Sequence, residues 1–351
     1  MKPLKVLVVD DSAIVRKLLT DSLKGERDIE VVGGAADPFI ARDMIVRLNP
    51  DVVTLDIEMP RMDGISFLKK LMEHRPMPVI IISSLTQAGS ATTIEALRAG
   101  AVDVIPKPGG PYSVGQVTEK LKDRIRGLRG VTPGRIAPRP AVTEAPKVAF
   151  NNSRALNGIL AIGASTGGPQ AIEGLLTRLP GETPPIVITQ HMPAHFTKAF
   201  ADRLNRVCAV RVVEAAGGER LEPGVAYIAP GDRHMVIERH GVLLATRLTD
   251  GPPVHHQRPA VDVMFHSLAR LKGVSIVAVL LTGMGQDGAD GMVALRAAGA
   301  ETIAEDEHSC VVFGMPREAI QRGGAMHVAS LLRIPALIPD CFSKLSGRSA
   351  A

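Results

Sequence analysis

The chain has 351 residues, 45% of them hydrophobic, and a net charge of +5 at neutral pH. This length and composition predict two domains with sizeable cores. No apolar stretch approaches the roughly 18 residues needed to span a bilayer, and the apolar run at residues 6–9 is too short for a signal peptide, so we expect no membrane insertion. Three widely separated cysteines predict neither a disulfide framework nor a zinc site, and they favour a cytoplasmic location.

The first predicted elements are strands and helices in alternation. A strand-like run at residues 5–9 precedes a segment with helical apolar spacing, and later strand-like runs end at Asp56, at Ser83 and near Lys107. Alternating strand and helix signals predict a parallel sheet with helices on both faces. The first domain is therefore expected to be α/β and doubly wound.

Polar side chains follow the predicted strands of this domain where each strand ends. Asp10 and Asp11 follow the first strand, and Asp56, Ser83 and Lys107 end the third, fourth and fifth. In an open parallel sheet, ligands bind at the carboxyl ends of strands. Converging carboxylates favour Mg²⁺ and make Asp56 a candidate nucleophile toward a phosphoryl group. Taken singly, an aspartate here is also typical of a helix cap, and the lysine of an exposed turn.

The stretches "VVDDS", "LDIEMPRMDG", "IIISS" and "IPKP" resemble the receiver domain of two-component response regulators. The resemblance covers residues 1–124 and implies a flavodoxin-like fold. It further implies phosphorylation of Asp56, a Mg²⁺ site in the receiver, and a histidine kinase as phosphodonor. The residue roles it implies are metal ligation by Asp10, Asp11 and Asp56, and a receiver switch formed by Ser83 and Lys107.

The positive charge of the chain is concentrated after this domain. Residues 124–147 contain six basic residues and one acidic residue, together with four prolines. This composition predicts a semi-rigid, solvated linker, which we place at residues 125–154. A basic linker is also compatible with contact to nucleic acid or to an acidic surface. Because the remainder of the chain is close to neutral, we expect no nucleic-acid partner.

The second domain, predicted at residues 155–345, opens with a strand-like run that ends in "IGASTGGP". The small residues around Ser165 predict a sharp strand-to-helix turn, which would expose a nucleophilic serine oxygen beside main-chain N–H groups. Two alternatives are a glycine-rich phosphate cradle and a helix cap. A dinucleotide site is disfavoured because no acidic residue follows the next strand-like run.

Two further residues follow predicted strands in the same way. His191 comes after the run at residues 186–190, and Asp287 comes after the run that ends near residue 283. Serine, histidine and aspartate at three strand ends predict a Ser-His-Asp relay. Asp290 is an alternative to Asp287, and the spacing of His191 and His195 also occurs in metal sites.

The motifs "IGASTGGP", "TQHMP", "AYIAPGDRHM", "RPAVDVMF" and "LTGMGQDGADG" closely resemble the chemotaxis protein-glutamate methylesterase (CheB) family. The resemblance implies a Rossmann-like catalytic domain that needs no cofactor for the esterase reaction. It implies a triad of Ser165, His191 and Asp287, with an oxyanion hole formed by main-chain N–H groups near Thr166 and Met284. Family members hydrolyse glutamate γ-methyl esters on chemoreceptors and many deamidate receptor glutamines, so the substrate partners would be methyl-accepting chemoreceptors and the location the receptor clusters.

Two alternative functions stay open at this point. The second domain could be a binding module that docks on a receptor or on nucleic acid, although the complete set of triad residues disfavours this. The chain could also be a methylesterase of a parallel signalling pathway that does not steer motility, which the sequence does not distinguish from a chemotaxis enzyme.

Overall fold

The computed structural model describes residues 2–59, 63–84, 86–107, 113–132, 148, 150 and 156–348. The chain divides into two compact units, Met1–Pro140 and Ala141–Ala351. Each unit is built on a parallel β-sheet with connecting helices, so the predicted fold class is confirmed. Within the described residues, no helix is both long enough and apolar enough to cross a bilayer.

The first unit alternates strand and helix along its whole length. Its sheet has the order β2-β1-β3-β4-β5, with every pair parallel. The elements are β1 (Leu4–Val9), α1 (Ala13–Leu23), β2 (Ile29–Ala35), α2 (Pro38–Leu48), β3 (Val52–Asp56), α3 (Gly64–His74), β4 (Val79–Ser83), α4 (Gln87–Arg98), β5 (Asp103–Pro106) and α5 (Val114–Gly127).

The strand order of this sheet creates a crevice at one point. The chain moves outward from β1 to β2 and then crosses to β3, so the connections leave β1 and β3 in opposite directions. Crevices of this kind, at the carboxyl ends of strands, are where open α/β sheets bind ligands. Asp10 and Asp56 lie there, directly after β1 and at the end of β3.

Helix α5 extends beyond the predicted end of the first domain. It ends at Gly127, so the residues directly after 124, which we assigned to the linker, are helical and include the buried Ile125. Arg124 pairs with Asp103 at 3.0 Å and Arg126 with Asp28 at 2.9 Å. The interpretation of these two arginines as solvated linker charge is therefore wrong, because acidic groups of the first unit neutralise them. Most of the remaining predicted linker (residues 133–147, 149 and 151–154) lies outside the described residues.

The second unit has a seven-stranded parallel sheet and a separate hairpin. The sheet has the order β14-β13-β12-β6-β7-β9-β8. The elements are β6 (Ile159–Ala164), α6 (Gly168–Leu176), β7 (Ile186–Gln190), α7 (Phe196–Val207), β8 (Arg211–Glu214), β9 (Val225–Ile228), β10 (His234–His240), β11 (Leu243–Thr249), α8 (Val261–Ala269), β12 (Ile276–Leu280), α9 (Ala289–Ala297), β13 (Glu301–Glu305), α10 (Met315–Gln321), β14 (His327–Ala329) and α11 (Ile334–Arg348).

The order in which strands are added to the sheet of the second unit also reverses at its central strand, β6. From β6 the chain builds outward through β7, and later returns to add β12 on the other side of β6. The carboxyl ends of β6, β7 and β12 therefore meet at one crevice. The antiparallel pair β10–β11 was not among the predicted elements; it stands outside this sheet and packs against α8.

Candidate functional sites

Three carboxylates meet at the crevice of the first unit. Oxygen atoms of Asp10, Asp11 and Asp56 all lie within 4.8 Å of one another. Asp10 and Asp56 are buried, whereas Asp11 is exposed. The predicted cluster of acidic side chains is therefore formed, and its all-oxygen donor set is of the kind that suits Mg²⁺.

Lys107 is a cation in direct contact with these carboxylates. Its Nζ donates to Asp56 Oδ2 at 2.6 Å and lies 3.7 Å from Asp10 Oδ2. Burial alone would lower the pKa of the Lys107 ammonium, but the hydrogen bond and charge of Asp56 and the charge of Asp10 outweigh burial and raise it. Lys107 is therefore charged at neutral pH and offsets part of the negative charge of the cluster.

Asp10 remains electrostatically unsatisfied in spite of this lysine. Burial and the charge of Asp56 raise the pKa of Asp10 to about 6. Its Oδ1 accepts from the Ser12 N–H at 2.8 Å, whereas its buried Oδ2 has no hydrogen-bond partner in the described part of the chain. The alternative in which Asp10 or Asp11 caps α1 is wrong, because Ser12 is the N-cap and accepts from the Val15 N–H.

Ser83 lies at the end of β4, beside the same crevice. It is fully buried, and its Oγ accepts a hydrogen bond from Thr93 Oγ1 at 2.9 Å. The carbonyl of Ser83 accepts from the Lys107 N–H at 2.8 Å, which joins the ends of β4 and β5. Ser83 and Lys107 are thus held together by the sheet.

In the second unit, Ser165 occupies the strand-to-helix turn predicted for it. It follows β6, and its N–H donates to the Thr282 carbonyl, just past β12, at 3.0 Å. The helix-cap alternative is wrong: the N-cap of α6 is Gly167, with φ of 77°, and no side chain caps this helix. Ser165 itself is buried, only 1% exposed.

Glycine is required where the β12 loop passes this serine. A Cβ on Gly283 would lie 2.7 Å from the Ser165 Cβ and would overlap the sulfur of Met315. The Gly283 carbonyl accepts from the N–H groups of Gly314 and Met315 at 3.1 and 2.8 Å. Close packing against Gly283 therefore fixes the backbone next to Met284.

His191 and Asp287 form a buried pair. His191 Nε2 lies 2.6 Å from Asp287 Oδ2, and both side chains are at most 2% exposed. Asp290, the alternative aspartate, lies in the first turn of α9 and pairs instead with Arg322 at 2.6 Å. His191 Nδ1 is buried and has no hydrogen-bond partner among the described residues, so Nδ1 is the ring nitrogen left to act as a base.

The N-terminus of α8 holds the Asp287 carboxylate. Asp287 Oδ2 accepts from the Val261 N–H at 2.7 Å, and Oδ1 accepts from the Asp262 N–H at 2.8 Å. Burial alone would raise the pKa of Asp287, but the hydrogen bond and charge of His191 and the two N–H groups hold it below its usual range. Asp287 is therefore ionised, and the positive end of a helix dipole favours that state.

Three residues that support this site were not predicted from the sequence, two through their side chains and one through its main-chain N–H. Gln190 Nε2 donates to the carbonyls of Ser165 and His191 at 2.9 and 3.1 Å. Thr282 Oγ1 donates to the Thr166 carbonyl at 3.0 Å, and Asp262 donates to Asp287 as described above. Gln190 and Asp262 lie inside the quoted motifs "TQHMP" and "RPAVDVMF", and Thr282 lies inside "LTGMGQDGADG", but nothing in the residue types alone indicates these contacts.

The geometry defines a two-domain α/β protein in which an acidic receiver-type site precedes a serine beside a buried histidine–aspartate pair. A family model described as "Response regulator receiver domain" matches residues 6–118. The model described as "CheB methylesterase" matches residues 160–338. The chain belongs to the CheB methylesterase family.

Full-length relatives and a solved structure agree with this assignment. A protein of Syntrophus aciditrophicus (strain SB) named "Protein-glutamate methylesterase/protein-glutamine glutaminase 2" is 51% identical over 94% of this chain and 97% of its own length. The Escherichia coli (strain K12) protein of the same name without the number is 49% identical over 95% of each chain. The crystal structure of the Thermotoga maritima CheB methylesterase catalytic domain, 39% identical, covers 52% of this chain and 98% of that one with a TM-score of 0.51.

Proposed function

We propose that the protein hydrolyses glutamate γ-methyl esters on chemoreceptors, releases methanol, and is activated by phosphorylation of Asp56. The observation that carries the esterase proposal is the buried pair of His191 Nε2 and Asp287 Oδ2, 2.6 Å apart, at the crevice where Ser165 follows β6. Membership of the CheB methylesterase family and the names of full-length relatives support the substrate class.

Ser165 is the nucleophile in this mechanism. His191 Nδ1 takes the proton of the serine hydroxyl as Oγ attacks the ester carbonyl carbon. Asp287 accepts a hydrogen bond from Nε2, which fixes the ring tautomer with Nδ1 unprotonated and stabilises the imidazolium that forms. The α8 N–H groups in turn keep Asp287 ionised throughout this step.

The tetrahedral intermediate carries a negative charge on the former carbonyl oxygen. Main-chain N–H groups near Thr166 and Met284 donate to that oxygen. Collapse of the intermediate expels methanol, which receives its proton from His191. A water molecule then attacks the acyl-enzyme by the reverse sequence, and the receptor glutamate leaves with a free carboxylate. The same steps on a glutamine side chain release ammonia, so we also propose receptor glutamine deamidation.

In the receiver unit, Asp10, Asp11 and Asp56 are the residues that would hold Mg²⁺. Asp10 Oδ2 is buried and has no hydrogen-bond partner among the residues that the structure describes, and the pKa of Asp10 is raised. Both features support this assignment, because a bound cation relieves them. The ion, when bound, offsets the charge of an incoming phosphoryl group. An Asp56 carboxylate oxygen attacks that phosphorus, the bond from phosphorus to the phosphohistidine of the kinase breaks and the histidine leaves, while Lys107 and Ser83 donate to the phosphoryl oxygens.

The partners follow from these two reactions. The phosphodonor is a chemotaxis histidine kinase, and the substrates are methyl-accepting chemoreceptors, with which the enzyme associates at receptor clusters in the cytoplasm. Hydrolysis adds a negative charge to the receptor at each methylation site, which is the basis of sensory adaptation in bacterial chemotaxis. The receiver runs from residue 1 to the end of α5 at Gly127, beyond the predicted boundary at 124, and the catalytic domain, predicted at 155–345, runs to the end of α11 at Arg348.

The test is methanol release from membranes that carry methylated receptors, measured with and without a small-molecule phosphodonor plus Mg²⁺. We expect release that rises with the phosphodonor and that falls by about three to six orders of magnitude in Ser165→Ala. The control is Ser343→Ala, a change on the exposed surface of α11. Near-normal release from Ser165→Ala would contradict the nucleophile assignment, and no release from the unsubstituted folded chain would favour a binding module.

A further inference from the structure

A second histidine–aspartate pair lies directly beside the first. Asp262, in the first turn of α8, is 4% exposed. Its side-chain Oδ1 accepts from the Gly291 N–H at 2.7 Å, and Oδ2 lies 3.1 Å from His255 Nε2. The main-chain N–H of the same residue donates to Asp287. Asp262 therefore connects His255 to the carboxylate that orients His191.

His255 is held in an unusual backbone conformation. Val254 and Gln257 exchange main-chain hydrogen bonds of 3.0 and 2.9 Å, so His255 and His256 are the two central residues of a tight turn. Both have positive φ angles, 50° and 60°. Residues other than glycine rarely adopt a positive φ, because this backbone conformation is strained. Such a conformation persists where the surrounding structure holds it in place, often at functional sites.

The contact of the second ring nitrogen of His255, Nδ1, defines its tautomer. Gln286 Nε2 lies 3.4 Å from His255 Nδ1, and Gln286 Oε1 accepts from Arg322. An amide nitrogen is only a donor, so Nδ1 is the acceptor, and Nε2 carries the hydrogen donated to Asp262. The contacts form one continuous path, which runs through Arg322, Gln286, His255, Asp262, Asp287 and His191.

Charged groups face this pair from each neighbouring element. Asp287 approaches from the β12–α9 loop, with His191 beyond it, and Asp290 approaches from α9. Arg322, after α10, pairs with Asp290. Burial and the charge of Asp287 raise the pKa of Asp262, and hydrogen bonds from the backbone N–H groups of Gly291 and Gly288 oppose that rise. Among the described residues, His255 is the one side chain shown to hydrogen-bond the Asp262 carboxylate, whereas the ring of His266, on the same helix, contacts the main-chain carbonyl of Asp262 at 2.7 Å from Nδ1.

We propose that His255 is a positioning residue of the esterase site, which donates to Asp262 and so keeps the Asp262 carboxylate ionised beside the Asp287–His191 pair. The inference rests on the proposed function. A negative charge close to an imidazole favours the imidazolium, and the interaction is strong where water is excluded. Asp262 then contributes to catalysis in two ways, through its main-chain N–H on Asp287 and through its carboxylate charge.

The first test is His255→Asn in the full chain, with the pH dependence of kcat/KM for methanol release as the readout. Asparagine tolerates positive φ, but its amide is shorter than imidazole and does not reach the position of Nε2. Asp262 then takes up a proton at higher pH, and the negative charge near His191 is lost. We expect the acid limb of kcat/KM to move to lower pH by about 0.5–1 unit. Asp262→Asn moves it in the same direction, and the double variant moves it no further than Asp262→Asn alone.

The matched control is His256→Asn. His256 lies in the same turn and also has a positive φ, but its side chain is exposed. The substitution therefore relieves a similar backbone strain, and we expect the acid limb of kcat/KM to stay in place. A merely structural role would lower kcat/KM at every pH without a shift of the limb, and that outcome overturns the proposal.

A second readout does not need turnover. NMR titration of the His191 ring in the full chain should move to lower pH in His255→Asn and stay in place in His256→Asn. An unchanged titration in His255→Asn overturns the positioning role even if methanol release is normal. A shifted titration in a chain that releases no methanol supports the contact path while contradicting the proposed function, so the two failures are distinguishable.

Discussion

The two units have related parallel sheets but begin their helices in different ways. All five helices α1–α5 start at a side-chain cap that accepts a main-chain N–H; the caps are Ser12, Asp37, Asp63, Thr86 and Ser113. Helices α6–α10 start without a side-chain cap hydrogen bond, at Gly167, His195, Ala260, Gly288 and Gly314. A side-chain cap typically contributes about 1 kcal/mol, so its absence has a cost.

Two of the uncapped helix ends of the second unit, those of α8 and α9, donate to buried carboxylates at the site. The first N–H groups of α8 donate to Asp287, and Gly291 of α9 donates to Asp262. The start of α6 lies next to Ser165. Local capping would have consumed donors that here serve buried carboxylates from other parts of the chain. The comparison teaches that neighbouring side chains satisfy the first N–H groups of the receiver helices. In the catalytic unit, the first N–H groups of α8 and α9 are satisfied by carboxylates of the site.

The pKa values of the buried carboxylates at the two sites shift in opposite directions. Asp10 and Asp287 are both buried, at 1% and 2% exposure. The pKa of Asp10 is raised to about 6, because burial and Asp56 dominate. The pKa of Asp287 is lowered, because three donors surround it. Because both carboxylates are buried, the direction of the pKa shift depends on the neighbouring groups: the charge of Asp56 adds to the effect of burial at Asp10, whereas the donors around Asp287 outweigh it.

The largest expected effect comes from Asp287→Asn. The side-chain amide presents a donor as well as an acceptor, so His191 loses the partner that fixes its tautomer. Methanol release by the full chain should fall by about four orders of magnitude, as for the aspartate of other triads. Asp290→Asn is the matched control, since Asp290 pairs with Arg322 at the surface. Equal losses in the two variants would contradict the assignment of Asp287.

The next effect concerns the acidic site of the receiver. Asp56→Asn removes the nucleophile, so the phosphodonor should no longer stimulate methanol release, and the ratio of stimulated to unstimulated rate should fall to about one. The unstimulated rate should remain. Asp43→Asn, an exposed change on α2, should leave the stimulation intact. Stimulation that persists in Asp56→Asn would mean that another group accepts the phosphoryl group.

The smallest effect tests the contrast between the two carboxylates directly. The folded-state pKa of Asp10, about 6, is higher than its ordinary value of 3.8. The folded protein therefore binds the proton more tightly, and stability is lost as the pH rises from about 4 to 6. Asp10→Asn removes this cost and should stabilise the receiver by about 1–3 kcal/mol at pH 7, with the gain gone near pH 4.

The measurement is calorimetric unfolding of the full chain at the two pH values, with and without Mg²⁺. The receiver transition is the one that Mg²⁺ shifts in the unsubstituted chain, and Asp10→Asn should reduce that shift. A variant less stable than the unsubstituted chain at pH 7 would show that Asp10 is already satisfied by Lys107.

Much of the architecture was predictable because it depends on local periodicity. Short apolar runs alternating with helical spacing indicated the parallel sheets, and a polar residue directly after a strand indicated the crevice residues. The end of α5 was not predictable, because arginines and polar residues are equally typical of a linker. Only the ion pairs of Arg124 and Arg126 with acidic groups distant in sequence show that they belong to a folded helix.

The sequence by itself determined the fold class of both units, the family and the residue types that its motifs place at the strand ends. Only the tertiary structure decided that Asp287 rather than Asp290 contacts His191, that the contact uses Nε2, and that Gly167 rather than Ser165 begins α6. The physical reason is the separation in sequence between the residues that interact. Strand and helix periodicity depends on neighbouring residues. Two of the three donors that surround Asp287 come instead from a helix that starts 26 residues earlier in the chain, and the third, His191, lies 96 residues earlier.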